Sequence, residues 1–268
     1  MLTADKTITI NDVLVRQYFL HKHNVNNIAL PPKRTKKFIG VTIHNTIDLP
    51  GVADDPEQYT RATVNGNMGS VRVHYYADEL GAWQNLDTAY CNWTCTDGTG
   101  SGNTQTIAIE CIMDGTSGEN NLKARDNTAR LAAWLLYTNG LTADDLYTHT
   151  YWLHIRDGHK GTKRELMTRP HPYKTCPYYI IPDWDGFCSL VKMYFNALKG
   201  GFKSYKIRIK EDLNVRKDAG TNNPVIMVLH PKEVYTIVAE KQVGTVRWGK
   251  LKSGVGWVSL LDKYSYKI

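Results

Sequence analysis

The sequence has no apolar stretch long enough to cross a membrane. Its longest uninterrupted run, Leu131 to Tyr137, is seven residues, against the roughly 20 that a spanning helix needs. No membrane insertion is expected. The first residues show no cationic patch followed by an apolar stretch, so no secretory signal peptide is expected and synthesis in the cytoplasm is. Cysteine is sparse and odd in number, with only Cys91, Cys95, Cys111, Cys176 and Cys188. That argues against a disulfide framework in a chain of 268 residues. Cys91-x-x-x-Cys95 is followed by no second pair of matching spacing, so a zinc ribbon is a poor reading. Most of the thiols read as buried, as free cysteine commonly is. Repeats and low-complexity tracts are absent. Charged residues make up only 22 % and hydrophobic ones 42 %, which leaves disorder and coiled coil as poor readings.

Acidic residues are too few to balance the chain, and the imbalance is local. The formal net charge is +7. Residues 203–268 hold 13 Lys and Arg against 6 Asp and Glu, which leaves the first 202 residues balanced at 20 and 20. A neutral body with a cationic tail suggests an anionic partner for the tail: nucleic acid, lipid head groups or cell-wall polymer. With no basic helix or RNP-like strand present, nucleic acid is not the expected partner.

A composition break falls at Lys199-Gly200-Gly201. Before it, Phe187, Leu190, Val191 and Phe195 recur at helical spacing within Asp183–Leu198, and Gly200 follows as a cap. After it come five short strand-like runs: Tyr205–Ile209, Val225–Leu229, Glu233–Val238, Val243–Trp248 and Gly256–Leu260. Punctuated by Gly, Asn and Pro, they read as a small all-β barrel. The first 198 residues alternate between the two periodicities. Asn11 can cap a helix through about His21. Asp54-Asp55-Pro56 opens another, and Asn121–Thr138 is the longest, with Gly140 after its end. Lys37–His44, Val71–Ala77, Ala82–Leu86 and Thr106–Ile112 read as strands. The expected fold class is α/β: a mixed β-sheet flanked by helices over residues 1–198, then an all-β unit over 203–268.

His44 ends the apolar strand Phe38-Ile39-Gly40-Val41-Thr42-Ile43-His44, where a side chain emerges at an opening sheet edge. His149 follows a second short apolar lead-in, Leu146-Tyr147-Thr148. Downstream lies Lys174-Thr175-Cys176-Pro177. Two histidines and a thiolate are a suitable ligand set for catalytic zinc, which keeps a fourth position open for water. Two rival second ligands, His154 and His171, stand in the long stretch between His149 and Lys174. Glu110 is a lone carboxylate inside Ile107-Ala108-Ile109-Glu110-Cys111-Ile112, so it needs a partner or a function.

These motifs, in this order, resemble the zinc-dependent N-acetylmuramoyl-L-alanine amidases, the group that includes phage endolysins and peptidoglycan recognition proteins. Val41-Thr42-Ile43-His44-Asn45-Thr46 looks like the first metal motif, His149-Thr150-Tyr151-Trp152 the second, and Lys174-Thr175-Cys176-Pro177 the third. Val73-His74-Tyr75-Tyr76-Ala77-Asp78 and Ala82-Trp83-Gln84 resemble the strand pair between them. Thr106–Glu110 resembles the strand that carries an inward glutamate. The resemblance spans roughly residues 35–190. It implies that His44, His149 and Cys176 ligate Zn²⁺, that Glu110 is the general base, and that Lys174 steadies the oxyanion. The chain departs from the pattern at Ala89-Tyr90-Cys91-Asn92-Trp93, where many members have histidine, and at Val73, where many have tyrosine. No catalytic tyrosine is therefore assigned.

The tail has its own resemblance. Asp212-Leu213-Asn214-Val215-Arg216, Trp248-Gly249-Lys250-Leu251 and Gly254-Val255-Gly256-Trp257-Val258 are similar to bacterial SH3-like cell-wall-binding domains. Trp248, Trp257, Tyr264 and Tyr266 are its candidate contact faces, although tryptophans also serve as the core of so small a barrel. Together the two resemblances imply a peptidoglycan hydrolase that acts on the bacterial cell wall, reached through a separately formed membrane hole. It would cleave the amide between N-acetylmuramic acid and the L-alanine of the stem peptide. Two other readings of the same residues are a non-catalytic peptidoglycan binder and a cysteine peptidase using Cys176 and His149.

Overall fold

A computed structural model describes residues 1–116 and 118–268. The chain opens with a hairpin, β1 (Lys6–Ile10) and β2 (Val13–Gln17), where a capped helix was expected. The local pattern explains the difference. Ile10, Val13 and Val15 are buried while Leu14 is exposed, a period of two rather than 3.6. Asn11 and Asp12 both take positive φ, 47° and 67°. That conformation suits the two-residue hairpin turn with mirror-image geometry, and Asn and Asp tolerate it best after glycine.

The other elements of the first sheet are β3 (Gly40–Thr46), β4 (Tyr75–Asp78), β5 (Gly81–Gln84), β6 (Thr106–Ile112) and β7 (Leu146–Thr148). With the hairpin they form seven strands in the order β1-β2-β5-β4-β6-β3-β7. The pairs β4·β6, β6·β3 and β3·β7 are parallel and β4·β5 is antiparallel, so the sheet is mixed. Helices α1 (Asp55–Val64), α2 (Ser101–Gln105), α3 (Glu119–Thr138), α4 (His149–Arg156), α5 (Lys163–Thr168) and α6 (Trp184–Asn196) surround it. Asp54 caps α1, its carboxylate accepting from the Glu57 amide at 3.0 Å, with Pro56 in the first turn as the sequence suggested.

Alternation along β3 and β6 sets the two faces. Val41, Ile43, Ile107, Ile109 and Cys111 pack with the apolar side of α3. Ala108 and Ile112 point the other way, packing with Tyr59 of α1 and Tyr76. His44 and Glu110 have the same parity as that second set, so both project away from α3.

A second sheet follows a π turn over Ala197–Gly201. Its strands are β8 (Tyr205–Ile209), β9 (Leu213–Arg216), β10 (Val225–Leu229), β11 (Val234–Val243), β12 (Val246–Leu251), β13 (Trp257–Ser259) and β14 (Ser265–Lys267). All its pairings are antiparallel, in the order β10-β9-β13-β12-β11-β8-β14. Trp248 and Trp257 are buried with Ala219 and Met193, so they are core residues, and Tyr266 is the exposed aromatic.

Buried charge joins the two sheets. Asp126 of α3 accepts from Arg130 Nε (2.7 Å) and the Tyr194 hydroxyl (2.6 Å), and lies 3.3 Å from Lys250 Nζ of β12. Lys252 Nζ sits 2.8 Å from Asp12 in the opening hairpin, which also meets Arg130. Gly254 lies against this group: a Cβ there would come within 2.6 Å of the Asp126 carboxylate.

Candidate metal centre

The parallel strands β3, β6 and β7 end side by side, and in open α/β sheets the carboxyl ends of strands are where ligands bind. His44 is the register partner of Glu110 across β3 and β6. His44 Nδ1 stands 3.9 Å from Glu110 Oε1. Thr148, at the end of β7, pairs with Ile43 and then caps α4, its hydroxyl accepting from the Tyr151 amide at 3.1 Å. His149 is therefore the first residue of a helix rather than a strand continuation, and its ring lies 4.9 Å from that of His44.

Cys176 reaches the same point from the loop after α5. Thr150 fixes it from three directions. The Cys176 amide donates to Thr150 Oγ1 (2.7 Å), while the Thr150 hydroxyl (3.1 Å) and amide (2.9 Å) both donate to the Cys176 carbonyl. The Asn45 amide donates to Cys176 Sγ at 3.4 Å. His44, His149 and Cys176 are 1 %, 3 % and 1 % exposed. One ligand atom from each lies within 4.8 Å of the others, so the three could hold a metal ion.

Electrostatics match that use. Burial, then His149 and Lys174, holds His44 well below the ordinary histidine value. Burial and the cations Lys174 and Arg156 bring His149 down to about 3. Both rings are thus neutral and have a lone pair to give. Burial and the neighbouring Glu110 push the Cys176 thiol up to about 12, a cost that an adjacent cation removes. Burial also raises Glu110 to about 7, against the pull of Lys174. His149 Nδ1 and Glu110 Oε2 are buried with no hydrogen-bond partner among the described residues. Buried polar atoms left without partners are what a bound ligand would satisfy. Lys174 is exposed on the loop two residues before Cys176.

By sequence, residues 34–178 match the N-acetylmuramoyl-L-alanine amidase family Amidase_2. The chain belongs to that family. The match includes all five candidate site residues and ends before the second sheet. A curated amidase relative, the N-acetylmuramoyl-L-alanine amidase XlyA of Bacillus subtilis (strain 168), is 26 % identical over 147 residues. That alignment covers 55 % of this chain and 42 % of XlyA, so the chain matches less than half the length of that relative. In structure, the chain resembles the catalytic domain of XlyA (TM-score 0.51, 21 % identity, 66 % of this chain and 98 % of that one). It also resembles PlyL (0.51, 22 %, 66 % and 96 %) and a mutant endolysin from Bacillus subtilis (0.52, 24 %, 67 % and 99 %). These likenesses establish an amidase-type fold for the first sheet and its helices.

The two rival histidines lie elsewhere. Because α4 is a helix, His154 is five residues on at 100° per residue and faces away from His149. It gathers with His159 and His171 instead. Two further side chains beside the candidate site carry no sequence signal. Thr96 Oγ1 lies 3.2 Å from His149 Nε2, and Cys95 Sγ lies 3.9 Å from His44 Nε2. Thr96 holds φ at 56°, a left-handed conformation that is rare for a β-branched residue. No spacing rule marks it. Asn45 and Thr150 stand inside the quoted motifs, each next to a histidine, and both contact Cys176.

Proposed function

We propose that the chain is a zinc-dependent amidase of peptidoglycan, hydrolysing the amide between N-acetylmuramic acid and the L-alanine of the stem peptide. The observation that carries this reading is the buried His44, His149 and Cys176 group at the ends of parallel strands, with Glu110 facing it. Two neutral imidazoles and one thiol form a zinc-type donor set that leaves a fourth position open. A zinc ion held by these residues would supply Lewis acidity, lowering the pKa of water toward about 7 and polarising a carbonyl. Glu110 would take the proton of the attacking water and deliver it to the leaving amine. Lys174 supplies fixed positive charge near the developing oxyanion. Asn45 and Thr150 hold Cys176, and Thr96 holds the His149 ring.

The cysteine-peptidase alternative is weakly supported. Cys176 is buried, its thiol is raised to about 12, and its sulfur contact is a backbone amide rather than a general base. Residues 203–268 are proposed as an SH3-like wall-binding unit. The all-antiparallel sheet, its excess of cations and exposed Tyr266 support that reading.

Product chemistry on purified peptidoglycan tests the activity. The expected result is new N-terminal alanine, lost with a chelator, restored by zinc, and reduced by about 10²-fold or more in Glu110→Gln. New reducing sugar ends, or an amino-acid terminus other than alanine, would overturn it.

A further inference from the structure

Helix α4 carries a second histidine group at its far end. The helix closes with a Schellman turn: the His159 amide donates to the His154 carbonyl (2.9 Å) and the Gly158 amide to the Ile155 carbonyl (3.2 Å). Gly158 supplies the left-handed residue at φ 70°. In this motif the side chains five apart meet, usually as a hydrophobic pair. Here they are two imidazoles, with His154 Nδ1 and His159 Nδ1 2.7 Å apart. His171, beyond α5, packs its ring 4.7 Å from that of His154. One ligand atom from each of the three lies within 4.8 Å of the others.

We propose that His154, His159 and His171, joined by Asp157, form a second zinc site that fastens the 155–173 segment. Four observations support it. His154 Nε2 can only donate to the Arg169 carbonyl, 3.0 Å away. The lone pair therefore sits on Nδ1, which faces the other two rings, an outer bond of the kind that orients metal-ligating histidines. His171 is 6 % exposed, and its Nε2 is buried with no well-formed hydrogen bond. Asp157 Oδ2 lies 3.1 Å from that nitrogen, and its partly exposed side chain can turn to offer a fourth, anionic ligand to a metal held by the three rings. His159 is exposed, so its ring can swing to open the 2.7 Å contact toward the roughly 3.3 Å that tetrahedral zinc geometry requires.

Binding rearranges two existing contacts. A metal on His171 Nε2 moves the ring hydrogen to Nδ1, so the Tyr173 amide, 3.1 Å away, turns to water at that exposed residue. Arg156 keeps its bond to Asp157 Oδ1 (2.6 Å) and releases Oδ2 (3.0 Å). Three nitrogens and one carboxylate close the coordination, so this site is structural. It sits on the helix that begins with His149 and in the segment that leads to Cys176, so it steadies both.

Zinc stoichiometry after equilibration and removal of free metal is the test, on the full chain. Wild type is expected to hold two zinc ions, Cys176→Ala one, His159→Ala one, and the double variant none. His159 is exposed, so its replacement leaves the fold intact, and circular dichroism checks this. Cobalt titration identifies which site is filled. Cys176→Ala should give ligand-field bands without thiolate charge transfer, and His159→Ala should retain the charge transfer. One zinc in wild type and none in Cys176→Ala would overturn the second site. So would cobalt bands in Cys176→Ala that persist after His159→Ala and His171→Asn are added.

Discussion

Thr150→Val isolates how the protein holds its metal-ligand candidate Cys176. Valine keeps the shape of threonine, so the fully buried side chain leaves no cavity. The Thr150 amide still donates to the Cys176 carbonyl at 2.9 Å. What disappears is the hydroxyl, and with it the 2.7 Å bond from the Cys176 amide and the 3.1 Å bond to the Cys176 carbonyl. The carbonyl keeps a partner and the amide does not. An orphaned buried amide costs about 1–3 kcal/mol. Loss of an outer-shell partner typically weakens metal affinity about 10–100-fold. Both can be read on one preparation, as urea unfolding with chelator present and as zinc competition against a chromophoric chelator. Thr150→Ser keeps the hydroxyl and should retain most of the affinity while losing about 1 kcal/mol for the buried methyl. Equal effects of serine and valine would mean that methyl packing matters and the hydrogen bonds do not. Unchanged unfolding and unchanged zinc affinity in Thr150→Val would refute the reasoning outright.

Other consequences are as direct. Gly254→Ala places a Cβ 2.6 Å from the Asp126 carboxylate at a φ of +79°, so thermal melts should show a loss of at least about 1–3 kcal/mol; an unchanged melt would mean that the sheets do not dock this way. Lys250→Met should cost about 1.5–3 kcal/mol in denaturant. That is less than an orphaned buried charge would cost, because Arg130 and the Tyr194 hydroxyl still hold Asp126. His74 is buried, with Nδ1 accepting from the Ala108 amide and Nε2 donating to the Tyr90 carbonyl; burial, then Arg34, lowers it from 6.5 to about 3. The unfolded chain takes up that proton first, so this contribution to stability is intact above about pH 6.5. It falls by about 1.4 kcal/mol per pH unit as pH drops from there toward 3. His74→Gln should flatten the acid limb of a stability–pH curve by about one proton, and an unaltered limb would show that His74 does not stay neutral.

How far the sequence could be read depended on how local each signal was. The alternation in Val41–His44 and Thr106–Ile112 is a property of each strand alone, so both strands were legible, whereas the shared face of His44 and Glu110 follows from the β3·β6 register. Asn121–Thr138 was legible for the same reason: its periodicity runs over many turns. The opening hairpin was misread because Asn11 is both a good helix cap and a good left-handed turn residue. Only the alternating burial of Val13 and Val15 decides between those uses. The helix that begins at His149 was not legible, because the short apolar lead-in Leu146-Tyr147-Thr148 looks like a strand. The helix start depends on Thr148 acting as a cap, and a threonine in a strand has the same letter. The grouping of His154 with His171 was out of reach, since it needs the helix, the Schellman turn and the return of the chain after α5 together. Thr96 and the Asp126–Lys250 contact are tertiary facts without a local pattern.

The charge imbalance takes on a different meaning once the two sheets are seen in contact. Deletion of residues 203–268 looks like a clean separation of wall binding from catalysis. Yet it would strip Lys250 and Lys252 from Asp126 and Asp12 and leave buried Arg130 open to water. Lost activity after deletion would then have two causes. Reversing surface charge avoids the problem. Along β8, Ile207 and Ile209 point into the core, and Lys206 and Arg208 alternate with them on the exposed side. Tyr266 of β14 is the register partner of Arg208, so cations and an exposed ring share one face. Lys206→Glu with Arg208→Glu brings the net charge of the segment from +7 to +3 and touches no contact between the sheets. Co-sedimentation with cell-wall sacculi should fall about 10-fold at low salt. Wild type and variant should converge as salt shortens the screening length from about 10 Å at 0.1 M to about 3 Å at 1 M. Hydrolysis of a soluble muropeptide should be unchanged throughout. Equal sedimentation at every salt concentration would show that this face does not hold the wall. A loss of soluble activity would show that the charge acts on the catalytic site after all.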